Sequence, residues 1–387
     1  MTTRIALPAL LALVLISSLR AAPDVKPAVV TIGDNERVVH VVGSVFTHVY
    51  YEPRLETLLL RLGGARGLTF RQIEVGGPVS VLDDDLPAKV LDLKPTLVVL
   101  QVGAEVIMRQ YRRQTYDFAT FPKALDPLVA KLRAAGCRVV LCSATPVGNG
   151  SASDKLLSPN DGLKTWADAA RDIAARHGAV YADLFTAALT WPMIGNDPRS
   201  RYFYPPEGHE KSWNLLLSQV SFQPATPAVT DIDAKTLQGR SNDGEVADLK
   251  SDAGALAFTL KARSSGVAHT LKVTGLPAGA YQLTANGKPA LKASADELAA
   301  GLDIGPLLRT LGSAKEMKDE SAAGRAAFAA LNAIQQYKLP PWITLADFDQ
   351  QKASALAKAR DTLSAHDTAS ARLASPAPLP LTITPAK

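Results

Sequence analysis

The chain has 387 residues, room for two or three domains at about 100–200 residues each. Hydrophobic residues make up 47% and charged residues 20%, which supports a packed core and excludes global disorder. The formal charge is only +5 and aromatics are 6%, so the chain has neither the basic stripe nor the stacking platform that nucleic-acid partners require.

At the N-terminus Arg4 precedes an apolar run over residues 5–16, followed by small residues and Ala21-Ala22. A bilayer-spanning helix needs about 20 apolar residues. The shorter run fits a secretory signal peptide over 1–22, and export to a periplasm, cell surface or extracellular space is the expectation. Its removal leaves 40 bases against 37 acids. No cysteine follows the run to carry a lipid, and no later stretch is apolar enough to span a membrane.

From residue 37 to 222, short apolar runs alternate with helical patterns. Strands are expected over 37–43, 68–77, 95–105, 137–146 and 179–185. Helices are expected over 52–63, 83–93, 123–136, 161–178 and 209–222. Leu55, Leu58, Leu59 and Leu62 form one stripe of the first helix, and Gly136 closes the third. Such alternation predicts βαβ units: a three-layer α/β/α domain over 27–222 with a parallel five-stranded sheet. In that architecture the ligand crevice lies in the loops at the carboxyl ends of the strands.

Residues 223–240 are rich in Pro, Thr, Asp and Gly and read as a linker, opening a stretch to 306 that contains a small β unit. Its strands are expected over 254–263, 269–276 and 280–291, with Asn286-Gly287 as a hairpin turn. A helical region over 307–373 reads as a cap on the sheet domain rather than a coiled coil, because no heptad is sustained. The Pro-rich segment 374–387 reads as a disordered tail.

Cys137 and Cys142 lie five apart in a predicted strand, on opposite faces and about 16 Å apart. A disulfide requires Cα atoms within about 7 Å, so both are expected to be packed thiols. Cys and His are too scattered for a metal site, and no cofactor is expected.

The block order resembles that of the SGNH/GDSL hydrolases. VVHVVGSVFTHVYYEPRLETLL (38–59) resembles their first block, IEVGGPVSV (73–81) the second, KPTLVVLQVGAEVI (94–107) the third, and YFYPPEGHEKSWNLL (202–216) the last. The resemblance implies an SGNH/flavodoxin-like fold over about 35–222. It also implies a serine esterase mechanism: a strand-end Ser nucleophile, a His base oriented by an Asp three residues earlier, and an oxyanion hole from backbone N–H groups and an Asn.

The residues at those positions depart from the pattern. Gly-Asp-Ser reads Gly43-Ser44-Val45, and Val45 has no attacking atom. The Gly of the second block is kept as Gly77, but the Asn position holds Glu105, whose charge opposes a developing oxyanion. Loss of a single oxyanion donor already costs about 3–4 kcal/mol. The Asp-x-x-His positions read Arg201 to Tyr204, while His209 remains at the start of the last helical pattern. The expectation is a catalytically impaired protein with a carbohydrate or acyl-sugar ligand in a crevice formed by Gly43, Val45, Gly77, Glu105 and Tyr204. An alternative is an active esterase with Ser44 as relocated nucleophile, His209 or His48 as base, and Asp197 or Glu207 as orienter. A third is a structural component of an envelope complex. Glu74 with Glu105, the acidic run 83–85 and the Arg/Tyr-rich stretch 109–118 fit solvated surface and an ordinary helix start better than a site.

Overall fold

The structure, a computed structural model, describes residues 27–43, 54–63, 66–75, 84–103, 120–145, 159–188, 216–252, 254–265, 268–341, 343 and 346–386. The α/β half contains β1 (Ala28–Ile32), β2 (Arg37–Gly43), α1 (Arg54–Gly63), β3 (Thr69–Val75), α2 (Leu86–Leu91), β4 (Leu97–Gln101), α3 (Thr120–Ala134), β5 (Arg138–Cys142), α4 (Pro159–His177), β6 (Val180–Ala182), α5 (Leu184–Ala188) and β7 (Val220–Pro224). The predicted five-stranded sheet is present, in the order β3-β2-β4-β5-β6, with every neighbouring pair parallel. Its central strands are apolar on both sides because both faces are covered. Val39, Val41, Val98 and Leu100 pack under α2, α3 and α4, while Val38, Leu97 and Val99 pack under α1 and the segment around Leu216. Cys137 and Cys142 belong to opposite faces and are both free and buried, as expected.

β1 and α5 were not expected from the sequence, and two expected elements are altered. The fifth strand stops at Ala182, because Asp183 Oδ1 accepts the Thr186 N–H at 2.9 Å and caps α5. The expected helix over 209–222 is helical only at 216–219 among the described residues. It gives way to β7, which pairs in parallel with β1. Val220 and Phe222 alternate with Ser221 and Gln223, a period of two that places both apolar side chains in the core beneath α1.

The second half is a two-sheet sandwich with a helical hairpin inserted in it. Its elements are β8 (Ala228–Asp233), β9 (Gln238–Ser241), β10 (Gly244–Asp252), β11 (Ala255–Ala262), β12 (His269–Thr274), β13 (Ala280–Ala285), β14 (Lys288–Ser294), α6 (Ala295–Ala300), β15 (Leu302–Asp303), α7 (Ala314–Gln336), α8 (Phe348–Ala374) and β16 (Leu379–Pro385). One sheet runs β10-β11-β16-β13-β14 and the other β15-β12-β8-β9, and their facing side chains form one core. Asn286 and Gly287 have φ of 51° and 74°, the left-handed pair that a two-residue hairpin turn needs.

Two expectations are corrected here. Residues 223–240 are not a linker: β8 buries Ala228, Thr230 and Ile232 on alternate positions, but Thr and Asp weaken the apolar signal. Residues 374–387 are not a disordered tail. β16 lies between β11 and β13 and buries Leu379, Leu381 and Ile383, a period-two face hidden in the sequence by interspersed prolines.

The helical hairpin docks on the α/β half, as a cap. Met317, Leu373 and Ala374 join the core beneath α1. Arg71 on β3 makes a bidentate pair with Asp367 at 2.6 Å and lies over the Phe328 ring. Glu56 on α1 faces Arg325 at 3.6 Å, and burial raises its carboxyl above the ordinary range.

Candidate active-site crevice at the carboxyl edge of the sheet

Chain order in the sheet reverses between β2 and β4, and in sheets of this kind the carboxyl ends of the strands at such a reversal border the ligand crevice. Gly43 ends β2 at this point, buried and in register with Val75 of β3. Gly103 follows β4 with φ +120°. A Cβ there would come within 2.8 Å of Trp166, whose ring stacks on Phe121 at 3.6 Å. The stack on α3 and α4 therefore leaves room only for glycine where the backbone passes over it at position 103.

Below the crevice, His40 on β2 bonds Gln101 on β4 through Nε2 at 3.3 Å. The ring is fully buried, and this burial lowers its pKa to about 4, so it is neutral at neutral pH. His40 was missed by sequence reasoning. A histidine between the valine pairs Val38-Val39 and Val41-Val42 was the available signal.

Polar groups farther along the same edge are satisfied internally. Ser143 Oγ accepts the Phe185 N–H at 2.8 Å, and Tyr181 donates its hydroxyl to the Ala167 carbonyl at 2.8 Å. Burial raises the Tyr181 phenol well above its ordinary value. The amino edge is closed by Glu36, which is buried and accepts from Arg138, Thr96 and the Gly33 N–H.

Of the sequence-predicted site residues, the structure places Gly43 at the crevice. Ser44, Val45, His48, Gly77, Glu105, Asp197, Tyr204, Glu207 and His209 lie outside the described residues, as do the signal segment 1–22 and the Arg/Tyr-rich stretch 109–118. Glu74 is exposed near the end of β3. Asp85 precedes α2 and pairs with Lys89 at 2.8 Å, an ordinary helix start.

A hydroxyl–imidazole–carboxylate cluster does occur elsewhere. His269 Nε2 lies 2.8 Å from Thr230 Oγ1, and His269 Nδ1 lies 3.8 Å from Asp243. Thr230 already donates to Ser241 Oγ, so His269 donates through Nε2, opposite to the tautomer a proton relay to a nucleophile needs. All three residues are fully buried, and Asp243 is held by Arg66 and Ser264. The cluster is part of the junction between the two halves.

Residues 46–209 match the GDSL-like lipase/acylhydrolase family. The match begins directly after Val45, so Gly43, Ser44 and Val45 fall outside it, and it ends on His209. No curated protein matches the chain. Similar solved structures include a gut microbial diltiazem-metabolizing enzyme, with 14% identity over 94% of this chain and 99% of that one at a TM-score of 0.49. Another is a catalytic mutant of Axe2, an acetylxylan esterase from Geobacillus stearothermophilus, with 16% identity over 49% of this chain and 96% of that one at a TM-score of 0.39. A third is described as a GDSL-like lipase from Parabacteroides merdae, with 12% identity over 50% of this chain and 98% of that one at a TM-score of 0.39. Over residues 46–209, which hold strands β3 to β6 of the parallel sheet, the chain is similar to the GDSL-like lipase/acylhydrolase family.

Proposed function

We propose that this protein is an exported, catalytically impaired member of the family that holds a carbohydrate or acyl-sugar ligand in the crevice beside β2 and β4. The observation that carries the reading is the combined substitution of the reacting positions. Val45 stands at the nucleophile position, Glu105 at the oxyanion amide and Tyr204 at the base, on a sheet whose strand order is retained. Valine cannot attack a carbonyl. A carboxylate beside a developing oxyanion raises the barrier instead of lowering it.

The mature chain treated with a fluorophosphonate probe is expected to show no adduct by intact mass, like a heat-denatured control. Its melting temperature is expected to rise with a member of a panel of acetylated and unacetylated oligosaccharides. A single adduct that disappears in Ser44→Ala overturns the reading. It favours the second one, an active esterase with Ser44 as nucleophile and His48 or His209 as base. What supports that alternative is the position of Ser44, the first residue beyond the strand end at the chain-order reversal.

A further inference from the structure

The sheet's edge strand β3, the helix α2 and the inserted helix α7 enclose a cleft of about 890 Å³. That size is within the range of small-ligand sites, about 300–1,000 Å³. The cleft is not part of the crevice described above, but it adjoins it. Its wall includes Glu74, in register with Val42, and the next pair in the ladder is Val75 with Gly43 at the crevice.

We propose that this cleft is a subsite for a neutral oligosaccharide, continuing outward from the crevice, with the helical hairpin as its outer wall. The inference rests on the reading of the crevice as a carbohydrate site. The lining has a composition suited to such a ligand. Lys89 and Arg325 are balanced by Glu74 and Asp92, so the cleft carries no excess charge to select an anion or a cation. Gln72, Asn332 and Gln335 add carboxamides, each offering donors and an acceptor in one plane, which match hydroxyls that both donate and accept. Gln72 Oε1 is shielded from solvent and has no donor among the described residues, an acceptor whose burial is costly until a donor reaches it. On α7, Ala326, Ala329 and Ala333 keep the outer wall low and leave room for a ring. An extended peptide laid along β3 would need a row of apolar pockets for alternate side chains, and here eight polar or charged side chains are interleaved with six apolar ones.

The test is titration calorimetry of the mature full-length chain with acetylated and unacetylated xylo-, cello- and chito-oligosaccharides of one to six units. Affinity is expected to grow with length. The double variant Asn332→Ala/Gln335→Ala is expected to lose about tenfold for the longest binder and nothing for the monosaccharide. Ala333→Trp fills the cleft from an exposed helix position, where folding is not at stake, and is expected to give the same selective loss. Length-independent binding untouched by either variant overturns the cleft and leaves the crevice reading standing. Length-dependent binding that survives Tyr204→Ala but fails in the cleft variants upholds the cleft and removes the crevice reading. No binding by any member of the panel overturns both.

Discussion

Gly103 and His40 show how single residues shape the ground under the crevice. At Gly103 two demands coincide: a φ of +120° and a ring of Trp166 where a Cβ would go. Gly103→Ala is expected to cost about 2–4 kcal/mol, from backbone strain plus overpacking. Urea denaturation measures this loss, and a midpoint within error of wild type would contradict the packing argument. His40 makes stability depend on pH. Its folded pKa of about 4 lies below the unfolded 6.5, so the unfolded chain binds more protons between those values. The contribution is fully present above pH 6.5 and is lost as pH falls toward 4, amounting to about 3 kcal/mol. Denaturation midpoints across pH 4–7 check this, and His40→Gln is expected to flatten that part of the profile.

Among the elements, β16 carries the most weight for its length. It joins β11 to β13, so the five-stranded sheet is continuous only because the last strand of the chain completes it. Leu381 is 1% exposed at its centre. Leu381→Ala is expected to destabilise the sandwich by about 2–5 kcal/mol. A chain ending at residue 375 is expected to lose cooperative unfolding of the sandwich altogether. Calorimetry distinguishes the two: a lowered transition for the substitution, a missing one for the truncation. The hairpin of α7 and α8 depends on the same closure. Its base is tied by Leu311 N to the Ser375 carbonyl at 2.8 Å and Gly312 N to the Leu373 carbonyl at 2.9 Å.

At the level of the whole molecule, the two halves are joined by buried polar contacts as well as apolar ones. Arg66, from the turn between α1 and β3, reaches Asp243 at 2.5 Å, and Ser265 N bonds the Arg61 carbonyl at 3.0 Å. Asp243 is fully buried and Arg66 nearly so. Asp243→Ala leaves a buried guanidinium without its counter-charge and is expected to cost about 3–5 kcal/mol. The double variant Arg66→Met/Asp243→Leu removes both charges and is expected to recover most of that loss. Equal losses in the single and double variants would mean that shape, not charge, holds the junction. With β3 and α1 clamped by the hairpin through Arg71–Asp367 and Glu56–Arg325, motion of one half relative to the other would have to break ion pairs with restricted water access.

The α/β half could be read from the sequence because local signals there agree with the fold. Residues 97–100 are apolar throughout and 38–42 are interrupted only by His40, as strands buried on two faces require, and the helices around Leu55–Leu62 and Leu125–Leu132 carry regular stripes. The block order was likewise visible in the sequence. β7, β8 and β16 were not, because polar, threonine and proline residues dilute their alternation, and pairing with distant strands supplies what local preference lacks. The buried His40–Gln101 pair, the Thr230–His269–Asp243 cluster and the cleft beside β3 join residues tens to hundreds of positions apart, so no spacing announces them. Identity along the chain decided which reacting groups are present. Only the tertiary structure decided which groups lie within a hydrogen bond of one another, because burial and distance are properties of packed elements and not of their order.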